Sequence, residues 1–346
     1  MLAHLDAIDL HTEISPKPFA SLPLISFSMD TRAHTVKVAV TYLICAVTWG
    51  TTWFAIRVCI ASGGYPTYEA AAIRFSVAVL LIAVLGMTGL VSLKQQKERH
   101  VWWLFAAGLF NAASYALVFA GEQSVPGSVA AVLFASLPLV TAIVAVATRT
   151  EAISFAQVIG GLVSFSGIAI IFWDRLRVSH QQAMGVVMIL IAVVSTAGYT
   201  LIFKRKTQDA HSMSATLIFL TTTTVGLWCV SLMRGWQPLP SPLPLKPTLA
   251  LLYMSVFGSV IAFACYIYLL KQVSMMTVAT LAIIEPVIAL LIDRMWEHQV
   301  RLATRSYIGA VVTLCGLLVS LLLKPNRGFF PPEVDARIPD VSETLG

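Results

Sequence analysis

Apolar runs of about 20 residues, the length an α-helix needs to cross a hydrocarbon core, recur along this chain from residue 38 almost to its end. Such runs leave few folds open. They are continuously apolar, without the polar and apolar alternation of barrel strands, and in hydrocarbon only helices and closed barrels satisfy every backbone polar group. The pattern predicts ten transmembrane helices, near 38–60, 70–93, 101–121, 126–148, 152–172, 183–203, 213–233, 248–270, 274–293 and 306–323. The connections are short, so no soluble domain remains to carry a separate activity. Composition agrees: 58% of residues are hydrophobic and 12% charged, against about 25% charged in a soluble domain.

The formal net charge of +6 would point toward nucleic acid in a soluble protein, but here the basic residues sit in loops, where they set topology, and no nucleic-acid partner is expected. With the N-terminus in the cytoplasm, the loops on that side collect 14 Lys and Arg against 7 on the other, with Arg57 and Arg74 inside spans. The positive-inside rule then places both termini in the cytoplasm of a cell (inner) membrane protein. Residues 1–35 are polar and proline-containing and read as a disordered tail, within which Met29 offers a second start; residues 324–346 form a second tail. The five cysteines, Cys45, Cys59, Cys229, Cys265 and Cys315, fall inside spans at unrelated depths and suit packing, giving neither a disulfide framework nor metal-ligand spacing.

An internal repeat organises the spans. A shift of 148 residues brings Thr48, Gly50 and Arg57 onto Thr196, Gly198 and Arg205, and Ala131, Leu133, Pro138 and Gly161 onto Ala279, Leu281, Pro286 and Gly309; Gly167 and Gly316 match at 149. The repeat predicts two units, 36–173 and 183–323, of five helices each. An odd number of helices makes the second copy enter the membrane from the opposite side, and inverted repeats are a recurring plan of secondary transporters.

Trp49-Gly50 in helix 1, Arg74-Phe75 in helix 2, Pro138, Glu151 and Gly160 in helices 4 and 5, and Glu285-Pro286, Glu297 and Gly309 in helices 9 and 10 together resemble an EamA-type member of the drug/metabolite transporter superfamily over roughly residues 38–323. The resemblance implies a ten-helix bundle with a central cavity, usually exporting amino acids, related metabolites or toxic compounds. The second copy departs from the pattern. Glu297 follows Pro286 by 11 residues where Glu151 follows Pro138 by 13, and Asp293-Arg294 interrupts the end of helix 9.

Several residues are candidates for function. Trp49, Trp53 and Arg57 share one face of helix 1, as an aromatic wall with a cation at its outward end, or as lipid-facing tryptophans with a snorkelling arginine. Asn111, Ser114, Tyr115 and Glu122 form a stripe on helix 3, and the repeat sets Asn111 opposite Ser259 of helix 8. Polar groups there hydrogen-bond a solute or glue helices together. Tyr199 and Tyr266 are further candidates. Glu285 lies about 15 Å into helix 9, near the midplane, where burial disfavours the charged form. It binds a proton or a solute amine, or it bonds backbone carbonyls that Pro286 leaves without a donor. Arg74, with Glu69 and Arg57 near it in the topology, suggests a structural charge cluster. Pro138 and Pro286 should bend helices 4 and 9, and the close approach of helices 1 and 6 is expected at Gly50 and Gly198.

The leading function is a secondary transporter acting on a small-molecule solute within the lipid bilayer, with protons as the candidate coupling ion and no cofactor or metal. The alternatives are an intramembrane enzyme and a membrane scaffold. Against an enzyme stand seven histidines confined to tails, loops and span ends, and the absence of HExxH, GxSxG and phosphate-binding Gly-rich motifs.

Overall fold

The computed structural model describes residues 29–148, 159–164, 166, 167, 170, 180–273, 278, 281–296 and 304–322. Among them every regular element is helical. In chain order the helices are α1 (Met29–Ile60), α2 (Thr67–Met87), α3 (Glu98–Gly121), α4 (Gly127–Phe134), α5 (Leu137–Ala147), α6 (His180–Lys206), α7 (Ser212–Met233), α8 (Leu245–Ser255), a π-helical segment (Val256–Ile261), α9 (Ala262–Gln272), α10 (Leu281–Trp296) and α11 (Thr304–Leu322). Helical residues at 159–164 belong to the fifth predicted span. Most of both tails, and the calls on Glu151 and Glu297, lie outside the described residues.

Among the described residues, six helical stretches are long and apolar enough to cross a bilayer: His34–Ile60, Thr67–Met87, Glu98–Gly121, His180–Lys206, Ser212–Met233 and Leu245–Gln272; shorter apolar stretches are Gly127–Thr141 and Tyr307–Gly316. Large apolar side chains remain on the outside of these helices, among them Leu43, Leu80, Trp102 and Leu232, as a chain solvated by lipid requires.

Three boundaries differ from the sequence expectation. Residues 29–35 are helical where a disordered tail was expected, because nothing between Met29 and Gly50 breaks a helix: that stretch holds neither proline nor glycine. α2 ends at Met87, short of 93, in a turn where Gly89 takes a φ of 76°, a left-handed backbone that favours glycine. The fourth span is interrupted at Ala135–Ser136, and Pro138 sits in the first turn of α5, where its missing N–H costs nothing. Pro286, in contrast, lies inside α10, which continues through it.

Packing relies on small residues, as expected where lipid supplies no hydrophobic drive between helices. α3 packs against α6 and α7. A Cβ on Gly121 would lie 2.9 Å from the Gly185 carbonyl, and one on Gly185 equally close to the Gly121 carbonyl. The matched glycines Gly50 and Gly198 do not bring α1 and α6 together: a Cβ on Gly50 would strike Ile288 of α10, and one on Gly198 the Phe110 ring of α3. Each therefore makes room for a bulky side chain on a third helix. Ser164 and α11 meet in a reciprocal contact. Ser164 Oγ donates to the Thr313 carbonyl at 3.0 Å, and Thr313 Oγ1 to the Ser164 carbonyl at 3.3 Å.

The loops after α2 and α6 are tied together. Asp209 bonds Lys97 Nζ at 3.1 Å and lies 2.9 Å from His100 Nε2, and the Lys97 hydrogen bond holds its carboxyl below the usual range. The His211 backbone N–H donates to Gln96 Oε1 at 3.1 Å. Burial, then the charges of Lys94 and Lys271, push the His211 imidazole below its ordinary pKa.

Two outcomes follow. Gly316→Leu should cost about 1–3 kcal/mol, because a Cβ there meets the Ser164 nitrogen at 2.4 Å and the Gly160 carbonyl at 2.6 Å, backbone atoms that cannot turn aside; a lowered thermal midpoint in detergent measures it. The unfolded chain protonates His211 near pH 6.5 and the folded chain only at lower pH, so stability is lost as pH falls through that window. His211→Asn should flatten the decline in thermal midpoint between pH 7 and pH 5.5.

Candidate functional site

A cavity lies between the helices. α1 contributes Trp49, Thr52, Trp53 and Ile56; α2 contributes Arg74; α3 contributes Ser114, Tyr115 and Val118. Phe134, Leu137 and Thr141 come from the interrupted fourth span, Thr196, Tyr199 and Thr200 from α6, and Tyr266 from α9. Val278 and, from α10, Leu281, Ala282 and Glu285 complete the wall. The periodicity of α1 explains its share, since residues three and four apart lie on one face. Four positions line the cavity in both copies of the repeat at the 148-residue shift: Thr52 with Thr200, Val118 with Tyr266, Phe134 with Ala282, and Leu137 with Glu285.

The walls are aromatic and hydroxyl-bearing. The Trp49 ring packs on Phe263 and Tyr266 at centroid distances of 5.5 and 5.1 Å, and Trp53 packs on Phe134 at 5.2 Å. The Tyr266 and Thr200 hydroxyls pair at 2.8 Å, and those of Ser114 and Thr196 at 2.9 Å. Glu285 is 6% exposed, and its Oε2 accepts a hydrogen bond from the Trp53 indole at 3.3 Å. The carboxylate singled out in the sequence is thus held against one of the tryptophans singled out with it.

Arg74 is fully buried between the cavity and the π-helical segment. Its Nε donates to Ser259 Oγ at 3.0 Å and its Nη2 to the Gly258 carbonyl at 3.2 Å, while Nη1 faces the Met254 sulfur at 3.8 Å. The guanidinium carbon lies 4.8 Å from the Tyr115 ring centroid. The Trp49 indole donates to the same Gly258 carbonyl at 3.2 Å. That carbonyl is accessible because the Ala262 N–H, its partner in a regular α-helix, reaches back to Phe257.

Other sequence candidates go elsewhere. Asn111 does not line the cavity: it is buried between α3 and α7, where its Nδ2 donates to Thr223 Oγ1 at 3.0 Å, so it joins helices. Ser259 stands behind the wall as an acceptor for Arg74. Arg57, one turn beyond Trp53, donates to the Glu122 carbonyl at 2.7 Å. The expected cluster of Arg74 with Glu69 does not form, because Glu69 Oε1 accepts from Ser231 Oγ at 2.7 Å and from the Gln237 N–H at 3.0 Å. Thr52, Thr141, Thr196 and Thr200 line the cavity without having been singled out; the repeat itself was the available signal for Thr52 and Thr200. Among the described residues no three His, Cys, Asp or Glu side chains converge as metal ligands.

Comparison with known proteins agrees with this architecture. The chain is 22% identical over 293 residues to protein PagO of Salmonella typhimurium, covering 84% of this chain and 94% of that one. It is 29% identical over 253 residues to the uncharacterized inner membrane transporter YedA of Escherichia coli, covering 71% and 78%, and 24% identical over 310 residues to the uncharacterized transporter YdfC of Bacillus subtilis, covering 86% and 94%. A solved crystal structure shares the fold with a TM-score of 0.62 at 16% identity, over 83% of this chain and 97% of that one. The profile of the EamA-like transporter family matches twice, at residues 36–173 and 183–322. A multi-pass helical membrane protein with this doubled match belongs to the EamA-like transporter family.

Proposed function

We propose that the protein is a secondary transporter that exports small metabolites such as amino acids, or toxic compounds, across the cell inner membrane by alternating access of the central cavity. The observation that carries this reading is the set of matched positions, 148 residues apart, that face one cavity from both copies. A site shared by two similar halves is exposed to either side of the membrane when the halves exchange shapes. We infer that the halves are inverted five-helix units making ten spans in all, and that both termini are cytoplasmic. The inner-membrane assignment draws on the name of the Escherichia coli relative.

Within this reading the aromatic wall of Trp49, Trp53, Tyr115, Tyr199 and Tyr266 holds the apolar part of the solute, and the paired hydroxyls supply hydrogen bonds that fix its orientation. Glu285 is the coupling residue. A carboxylate in a low-dielectric cavity carries its charge at a cost unless a proton or a cationic group meets it, so it exchanges one for the other during the cycle. The chain has no phosphate-binding Gly-rich loop, and an ion or solute gradient supplies the drive.

Flux of radiolabelled amino acids and cationic drugs into vesicles, with and without a proton gradient, tests this proposal. Glu285→Gln should abolish gradient-driven flux while the protein remains folded and inserted; unchanged flux with a normal pH profile removes Glu285 from the mechanism. Asn111→Val should instead lower the thermal midpoint, by the equivalent of about 1–3 kcal/mol for the stranded Thr223 contact, and leave the KM for flux unchanged. For topology, reporter fusions at Lys97 and Ser62 should report opposite sides, with Lys97 cytoplasmic. A cytoplasmic signal at Ser62 sinks the assignment.

A further inference from the structure

The guanidinium of Arg74 has an unusual set of partners for a buried cation. Its hydrogen bonds to α8 and the π-helical segment all go to neutral groups: the Ser259 hydroxyl, the Gly258 carbonyl and the Met254 sulfur. Tyr115 and Phe75 present their rings at 4.8 and 5.2 Å. Glu122 attracts the guanidinium electrostatically. Glu69 is occupied by Ser231 and Gln237, and Glu285 is bonded to Trp53. Arginine keeps its charge even when buried, and a desolvated cation without a hydrogen-bonded counter-charge is costly. Such residues in membrane interiors mark solute paths, and this one forms part of the cavity wall.

We propose that Arg74 is the anion-recognition residue of the cavity and receives a carboxylate carried by the solute. The proposal rests on the transporter reading and names the charge its solute must bear. The geometry suits the task. A guanidinium presents a planar fork that matches a carboxylate through two parallel bonds. The Tyr115 ring backs the guanidinium on one side. The bonds given up are to neutral acceptors, and a carboxylate replaces them with bonds between two ionised groups in a matched, bidentate geometry. The same exchange releases the Gly258 carbonyl to Trp49, which already donates to it. Binding at Arg74 therefore loosens one of the two ties that fasten the π-helical segment to the cavity. Solutes bearing an anionic group are preferred over purely cationic ones of the same shape, and the aromatic wall accepts their apolar part.

The test uses the purified full-length chain in nanodiscs, with the change in intrinsic tryptophan fluorescence, to which Trp49 and Trp53 of the cavity contribute, reporting equilibrium binding of three probes of similar shape: 3-phenylpropionate, phenylalanine and 2-phenylethylamine. The two carboxylates should bind saturably, and the amine at least about tenfold more weakly. Arg74→Gln should weaken both carboxylates by about 10- to 100-fold, in line with 1.4 kcal/mol per tenfold, and abolish the preference. Because Arg74→Gln also removes bonds that hold the π-helical segment, Ser259→Ala provides an independent arm. It keeps the guanidinium and deletes a competing acceptor, so carboxylate affinity should rise by about two- to tenfold; a purely structural Arg74 predicts no gain. An amine bound as tightly as the carboxylates, a wild type that binds neither carboxylate, or a Ser259→Ala variant with unchanged or weaker carboxylate binding overturns the proposal. Carboxylate binding without flux in vesicles would sink the transport reading and leave the site standing. Flux without charge preference would do the reverse.

Discussion

A carbonyl held in hydrocarbon must find a donor, and around Gly258 that requirement organises the cavity. The π-helical segment takes the Ala262 N–H away from this carbonyl, and two side chains from separate helices, Trp49 of α1 and Arg74 of α2, take its place. One backbone irregularity thus fastens α1 and α2 to the span that runs from α8 to α9. Irregular backbone is tolerated at membrane depth where protein covers it or where it lines a cavity, and here Trp49 and Arg74 cover it. The Ala135–Ser136 interruption and Pro286 obey the same rule, because the residues beside them, Leu137 and Glu285, face the cavity. The uninterrupted helices α3, α6 and α7 pack closely through glycines and form the frame against which these broken elements sit.

The helical class and the doubling of the chain were legible because both depend on patterns spread over many residues: the length of apolar runs and a constant offset. The aromatic face of α1 was legible for the same reason, since Trp49 and Trp53 are one turn apart on a helix that nothing interrupts. Single polar residues were not. Asn111 and Tyr115 are also one turn apart on α3, yet Tyr115 reaches the cavity and Asn111 meets Thr223. The difference lies in which neighbouring helix is nearest, and α7 owes its approach to Gly108, where a Cβ would strike Thr222 at 2.5 Å. Arg74 was read with Glu69 because the two are close along the chain. The acid is instead satisfied by residues 231 and 237, far along the chain, which local spacing cannot reveal. The π-helical segment left no trace in Val256-Phe-Gly-Ser-Val-Ile261, which holds no proline and reads as ordinary apolar helix.

The charges of the cavity are distributed unequally between the two copies. Arg74 belongs to the first and Glu285 to the second, and the position matched to Glu285 is Leu137. The shared scaffold supplies the cavity, and the differences between the copies supply its chemistry. Duplication alone would give two equivalent faces; divergence at a few lining positions gives a solute one orientation.

The π-helical segment has a further consequence. Residues 108–113, which the repeat pairs with Val256–Ile261, are regular α-helix in α3, so the copies differ in backbone as well as in side chains. On the proposed alternating-access cycle, two halves reach energetically equal end states only if they are interchangeable, and these are not. An empty carrier built this way rests on one side of its cycle, with a population ratio set by the free-energy gap between its two forms. Its half-saturation concentrations on the two faces of the membrane then differ, while the ratio of its maximal rates shifts in compensation, so that in the absence of a driving gradient no net flow results.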